Sequence, residues 1–299
     1  MIEIKNVTKS FGKLKAVDSA SFRVEKGQAV SLLGTNGAGK STLIKCILGL
    51  LDYTGDITVG GLRVKDHPKE AKSLIGYLPQ EPLFYDMRTL DIVRFFARLR
   101  KVDEGRSISV LDKVGLAEHS SKYASELSGG MRQRLSFAIA LLSEPTFLIL
   151  DEPTSNLDAH ARAEFLGLIK DYKENGKTVI FSSHRLDEVD YLADRAVLMK
   201  DGRVVMDEEP HALRQKLGLG TKMNIAVPDE YAALAASALA GAGIIVHGRN
   251  GRGFLVEVKG GDSLHPLREL MSRDIPVLGF SVEEPTMENI LEGAGRDGN

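Results

Sequence analysis

A single cysteine, no tryptophan and an aromatic content of only 6% mark this chain of 299 residues. The lone cysteine, Cys46, excludes disulfides and a thiolate metal cluster within one chain, and its place in an apolar run suits a buried thiol. An excess of charge is also missing. The 39 basic and 41 acidic residues leave a formal charge of −2, which supplies no bulk attraction to nucleic acid or to an acidic membrane. No apolar run approaches the ~18 residues that a spanning helix needs, and no secretory signal opens the chain. The expectation is a cytoplasmic protein of one large or two ordinary domains, with any membrane role supplied by a partner and no direct membrane insertion.

What the chain does contain is the segment Gly34, Thr35, Asn36, Gly37, Ala38, Gly39, Lys40, Ser41, Thr42. It matches G-x-x-x-x-G-K-[ST] and lies between an apolar, strand-like run at 29–33 and a stretch from Lys40 to Leu50 with apolar residues at helical spacing. In such a strand–loop–helix, glycines let successive N–H groups point inward at a β-phosphate, reinforced by the helix dipole. Lys40 is then placed to reach the β- and γ-phosphates, and the Ser41 hydroxyl to ligate Mg²⁺. A glycine-rich turn without a ligand would need this context to be coincidence.

Further polar residues follow apolar strands. The run 146–150 ends in Asp151 and Glu152, and carboxylates at the carboxyl end of a parallel strand lie beside the phosphate loop. Asp151 is placed to hold Mg²⁺ through water and Glu152 to polarise an attacking water. Two adjacent acids at an ordinary helix start would look the same without the loop upstream. His184 follows the strand-like run 178–183, and although a lone histidine is usually structural, its sheet edge is the one that carries the acids. Gln80 follows 75–78 and is placed to touch Mg²⁺ or the water; taken alone it would be a surface glutamine. Ser128, Gly129 and Gly130 open a helix expected from about Gly130 to Ser143, as an anion-binding corner or a simple N-cap. A second anion corner makes sense if it closes on the γ-phosphate of another subunit.

In this order the motifs resemble those of the nucleotide-binding subunits of ABC transporters: Walker A at 34–42, Q-loop at Gln80, signature at 127–131, Walker B at 147–152, D-loop at 155–158 and switch histidine at His184. The resemblance covers roughly residues 1–217. It implies a P-loop ABC ATPase domain, an α/β fold with a mixed sheet core and a helical subdomain at about 85–145. It also implies that Phe11 stacks on adenine and that Asp158 belongs to the nucleotide-binding set. Phe11 stands where tyrosine is commoner, Met131 replaces a glutamine, and Asn156 takes a place often held by a small residue. None of these removes a catalytic group, so an active ATPase is expected, with Glu152, His184, Gln80 and Lys40 as its catalytic set. By the same resemblance, two copies sandwich two Mg²⁺-ATP head to tail and pull on a separate transmembrane permease near residues 80–100, with Phe84 and Tyr85 better placed for contact than Phe95 and Phe96.

Beyond residue 217 a short Gly-Leu-Gly linker precedes a second domain expected at 222–291. Strands at 223–227, 244–247, 254–258 and 277–282 and helices at 229–240 and 264–272 give a β-α-β-β-α-β order, small and ferredoxin-like. Residues 248–253 read as a hairpin turn with Asn250-Gly251 at its tip. His211, His247 and His265 lack metal-ligand company, and 293–299 reads as a disordered tail. This layout, with 283–291 as its closing stretch, resembles the tails of drug-, lipid- and polysaccharide-type exporter ATPases, where dimer support or regulation is a reasonable role.

Segments 76–79, 94–99 and 130–135 also resemble NosF-type ATPases, which serve copper-site assembly on nitrous oxide reductase. An ABC-type ATPase acting on the ribosome or on nucleic acid is the competing class. No long coiled-coil insertion, second cassette or basic arm supports it, and no nucleic-acid partner is expected. A small P-loop kinase or GTPase leaves Ser128, Gly129, Gly130 and His184 unexplained.

Overall fold

The computed structural model describes residues 1–217, 221–251, 253–258 and 264–283. The chain divides into two compact units, Met1–Pro210 and a second from His211. The division falls at the start of a helix, a little before the break expected after residue 217.

In the first unit β1 (Ile2–Phe11) and β2 (Leu14–Val24) form a hairpin, and β3 (Ala29–Leu33) leads into α1 (Lys40–Ile47). After β4 (Thr54–Val59), β5 (Leu62–Arg63), α2 (Pro68–Ser73) and β6 (Ile75–Leu78) come three helices, α3 (Thr89–Leu99), α4 (Arg106–Lys113) and α5 (Gly129–Leu141). The unit continues with β7 (Phe147–Leu150), α6 (Ala159–Glu174), β8 (Thr178–Ser183), α7 (Leu186–Leu192), β9 (Arg195–Lys200) and β10 (Arg203–Glu208). These strands form two sheets. An antiparallel one runs β2-β1-β4-β5, and a six-stranded one runs β10-β9-β3-β8-β7-β6 with only β10 antiparallel to its neighbour.

The six-stranded sheet is covered on both faces, which is why its central strands read as unbroken apolar runs rather than alternating ones. Every residue of β3, β7 and β8 is buried. Period-two geometry then divides each strand between two cores. Leu148 and Leu150 join Val93, Leu135 and Phe165 under the helices, whereas Phe147 and Ile149 join Leu43, Ile47 and the antiparallel sheet. The Phe137 and Phe165 rings meet edge to face at 5.4 Å in the first core.

Ala29–Leu33, Thr178–Ser183 and Ile75–Leu78 are strands as expected. The helix after the glycine loop ends at Ile47, short of Leu50, because Gly49 takes φ 60 just beyond its cap. Around the expected permease contact, Tyr85 is 72% exposed, but Phe84 is half-buried against the core and Leu83, at 89% exposure, takes the outward place. Among the described residues no helix is long and apolar enough to cross a membrane.

After α8 (Pro210–Lys216) the second unit comprises β11 (Thr221–Ala226), α9 (Ala232–Gly241), β12 (Ile245–Asn250), β13 (Gly253–Val258), α10 (His265–Ser272) and β14 (Gly279–Glu283). Its sheet is antiparallel throughout, in the order β12-β13-β11-β14. Met223, Ile225, Phe254 and Val256 pack with Ala235, Leu239 and Leu270 as its core. The hairpin is tighter than the expected turn at 248–253. Gly248, Arg249 and Asn250 pair within the ladder, and Asn250 faces Gly253. The linker 218–220, most of the closing stretch (284–291) and the tail 293–299 lie outside the described residues.

Cys46 is fully buried on α1, and burial pushes its thiol up to about 11. A raised folded-state value keeps the proton on well above neutral pH, so at pH 8 the native protein will not react with a thiol-specific disulfide reagent. The unfolded chain will take up one equivalent; rapid labelling of the native state would contradict this packing.

Candidate nucleotide site

β3 delivers the glycine loop and α1 begins at its end, so the first helical N–H groups point back into the loop. Gly39 caps α1 at φ 102, and a Cβ there would come within 2.3 Å of the Ala16 carbonyl oxygen. Only glycine fits. Lys40 is 4% exposed, and its ammonium donates to the carbonyls of Gly34 at 2.8 Å and Thr35 at 3.0 Å. The loop thus positions the lysine as well as its own amides.

The end of β7 supplies the acids. Asp151 Oδ1 accepts from Ser41 Oγ at 2.9 Å and from Ser182 Oγ at 2.8 Å. The backbone then turns: Glu152 has φ 44, and its N–H donates to the same Ser182 hydroxyl at 2.8 Å. This turn aims Glu152 at three polar side chains. Lys40 Nζ lies 3.4 Å from Oε1; Gln80 Nε2 donates to Oε2 at 3.3 Å, and His184 Nδ1 is 3.6 Å from the same oxygen. Glu152 is 7% exposed, so these contacts operate with little water between them. Beneath the acids, burial and then the charge of Asp151 push the Tyr77 hydroxyl up to about 12, which keeps it protonated.

A cavity of about 550 Å³ joins these parts. Asn36, Gly37, Gly39, Lys40, Ser41, Thr42, Gln80 and Glu152 line one side, and Phe11 stands at the other, 50% exposed with Lys9 over its ring at 5.1 Å. Leu14, Lys15, Ala16, Asp201 and Gly202 complete the wall. These five carry no motif, because they come from the start of β2 and the β9–β10 turn and reach the cavity only through the fold. Ser182 and Gln133 were missed for a different reason. Ser182 sits inside an apolar strand, two residues before His184, and buried Gln133 donates from α5 to the Pro153 carbonyl at 2.7 Å. Each is legible only once its neighbour across the fold is known.

Some expected nucleotide ligands are elsewhere in the chain. Ser128 caps α5, its hydroxyl accepting Met131 N–H at 3.3 Å, and Asp158 caps α6 by accepting Ala161 N–H at 2.9 Å. Gly129 lines a separate cavity of about 440 Å³ with Gln80, Arg132 and Asn156. None of Ser128, Gly129, Gly130 and Asp158 lines the cradle cavity of its own chain. In the second unit His247 is engaged with Glu257 at 2.6 Å, and His211 with Gln215 at 3.0 Å.

With this geometry in hand, the chain can be set beside known proteins. The family model described as ABC transporter matches residues 17–155. The linearmycin resistance ATP-binding protein LnrL of Bacillus subtilis is 36% identical, across 76% of this chain and 75% of that protein. Lantibiotic transport ATP-binding protein SrtF of Streptococcus pyogenes is 35% identical across 70% of this chain and 91% of its own length. Nod factor export ATP-binding protein I of Rhizobium etli is 37% identical across 72% and 70%. Among solved structures, an ATP-binding subunit of an ABC transporter superposes with TM-score 0.66 at 29% identity, covering 73% of this chain and 94% of that one. A dimeric ATP-binding cassette in a post-hydrolysis state bound to ADP and Pi superposes with TM-score 0.63 at 27% identity, covering 70% and 99%. This chain belongs to the ATP-binding subunits of the ABC transporter family. It is an ATP-binding cassette, an ATPase that hydrolyses ATP.

Ser182→Ala removes the acceptor for a buried N–H and one donor to Asp151. The expected cost is about 1–3 kcal/mol in urea unfolding, together with reduced turnover. A variant as stable and as active as wild type would show that the hydroxyl does not hold the Glu152 turn.

Proposed function

We propose that this ATPase is the motor subunit of an ABC exporter, driving a separate transmembrane permease from the cytoplasmic face of the membrane. The observation that carries the reading is the split between two sets of groups. Lys40, Gln80 and His184 converge on Glu152, which lines the cradle cavity with Lys40 and Gln80, while Ser128, Gly129 and Gly130 of the same chain stand outside it. A second copy, placed head to tail, brings its signature to the open side, so that two copies enclose two ATP molecules. The resistance, lantibiotic-transport and export roles in the names of the relatives favour an exporter. Exposed Leu83 and Tyr85 offer the permease an apolar contact.

Within each site Phe11 offers its ring to adenine, and the amides of the glycine loop with Lys40 hold the β- and γ-phosphates. The donor set suits a hard cation: Ser41 Oγ and Asp151 Oδ1 lie 2.9 Å apart, with the Gln80 side chain on the same cavity. Ser41 and Gln80 would hold Mg²⁺ directly and Asp151 through water, and the ion would neutralise charge on the phosphates. Glu152 acts as general base, polarising the water that attacks the γ-phosphorus, and His184 orients that water and the phosphate. The second unit has the strand order of a ferredoxin-like fold, and we assign it as an accessory domain that supports the dimer or regulates it.

Glu152→Gln keeps the volume and removes the base. Turnover is expected to fall ~10²–10⁴-fold, and the protein to elute as an ATP-bound dimer in size exclusion with light scattering. Wild-type phosphate release from this variant would remove Glu152 from its role. Purified with ATP from detergent-solubilised membranes, the same variant should carry a stoichiometric multi-span membrane protein; ribosomes in its place would overturn the transporter reading.

A further inference from the structure

Glu188 lies in the first turn of α7, 2% exposed, and none of the roles above uses it. A carboxylate is seldom buried without partners, because removal from water penalises the charged form. Here the partners come from two places, the turn after β7 and the last residue of β8. Oε1 accepts from Thr154 Oγ1 at 2.5 Å, and Oε2 accepts from Ser183 Oγ at 2.7 Å. Arg185 Nε stands 3.8 Å from Oε1, while its guanidinium donates to both oxygens of Asp187 at 3.1 and 2.8 Å.

The positions of those hydroxyls matter. Thr154 is two residues past Glu152, and Ser183 immediately precedes His184. Ser183 Oγ donates to Glu188 at 2.7 Å, with the Arg185 carbonyl a longer second acceptor at 3.4 Å, and accepts the Arg185 N–H at 3.0 Å, so the backbone on both sides of His184 is tied to one carboxylate. On the other loop, Ser155 N–H donates to the Glu152 carbonyl at 3.2 Å and Leu157 N–H to the Thr154 carbonyl at 3.1 Å, which continues the turn that begins at Glu152. Both loops are anchored to strands, β7 and β8, yet each departs from its strand just where its functional side chain begins. The sheet alone therefore does not fix the distance between the two side chains. Ser182 on β8 holds the Glu152 N–H, and Glu188 adds a second tie between the two departures through Thr154 and Ser183.

We propose that Glu188 is a positioning residue, locking the loop that carries Glu152 to the loop that carries His184 and so setting the 3.6 Å separation of Glu152 Oε2 and His184 Nδ1. The inference rests on the roles proposed above for those two residues. Glutamine at 188 preserves shape but removes the charge and one of the two acceptor oxygens, so one hydroxyl loses its carboxylate acceptor and must turn its oxygen to an amide N–H, while the fold keeps its packing.

The test is a double-mutant cycle on the full chain, with initial ATPase rates measured against ATP concentration. Glu188→Gln should lower kcat about tenfold with KM changed less than about twofold, and in a His184→Ala background it should cost less than about twofold further. Thr154→Val and Ser183→Ala should each lower kcat with the same loss of effect beside His184→Ala, which keeps the proposal testable if Glu188→Gln fails to fold. An unchanged kcat in Glu188→Gln overturns the proposal, as does an undiminished loss in the His184→Ala background or a loss that tracks KM and the melting midpoint. His184→Ala with wild-type kcat would instead overturn the reading of the site, and this inference with it.

Discussion

One hydroxyl at the end of β8 carries the geometry on which the site depends. Ser182 Oγ accepts the N–H of Glu152 and donates to the carboxylate of Asp151, both at 2.8 Å. Glu152 has φ 44, a conformation that costs a residue with a Cβ about 1–2 kcal/mol. Two buried hydrogen bonds, one of them to a charged acceptor, offset a cost of that size. If β7 continued as regular strand, Asp151 and Glu152 would project to opposite faces of the sheet. Because the backbone turns, both acids stay at the strand end. Asp151 meets Ser41, and Glu152 meets Lys40, Gln80 and His184.

That turn has effect only because the neighbouring strands end at the same level. β3 pairs in parallel with β8, and β8 with β7, in a register that aligns Leu33 with Ser183 and Leu150 with Phe181. The carboxyl ends of three strands therefore present the glycine loop, the two acids and the histidine side by side, as expected for ligand sites of open parallel sheets. Burial of both faces of the sheet holds this register, since a slip of one residue would exchange the two cores that Phe147, Leu148, Ile149 and Leu150 serve.

What the sequence makes legible follows from range. The glycine loop, β3 and the start of α1 are a continuous segment whose chemistry is local, and they appear as the spacing implies. Asp151, Glu152, Gln80 and His184 are each one or two residues past an apolar run, so strand ends locate them. Ser182, Gln133 and Glu188 lie inside elements and each has a partner 20 to 34 residues away in the chain, although Glu188 also holds Ser183 five residues before it. Phe84 and Leu83 differ for a related reason. Hydrophobicity favours both for contact, but which of two neighbours faces outward is decided by the helices packed behind them.

The same reasoning bears on Ser128, Gly129 and Gly130. A helix start leaves N–H groups without intrahelical partners, and a side-chain cap satisfies only some of them. Ser128 Oγ takes the N–H of Met131, yet no acidic residue stands in the first turn of α5 to answer its positive end. Gly130 adds a tight approach, since a Cβ there would lie 3.2 Å from the Cβ of Ala161 on α6. The segment is thus built with small residues at a helix start, and it lines no part of the phosphate cradle of its own chain. An anion supplied by a second copy would complete it. That is the physical reason to expect pairing to depend on nucleotide: apart from a γ-phosphate, the chain offers this helix end no negative group of its own in the first turn.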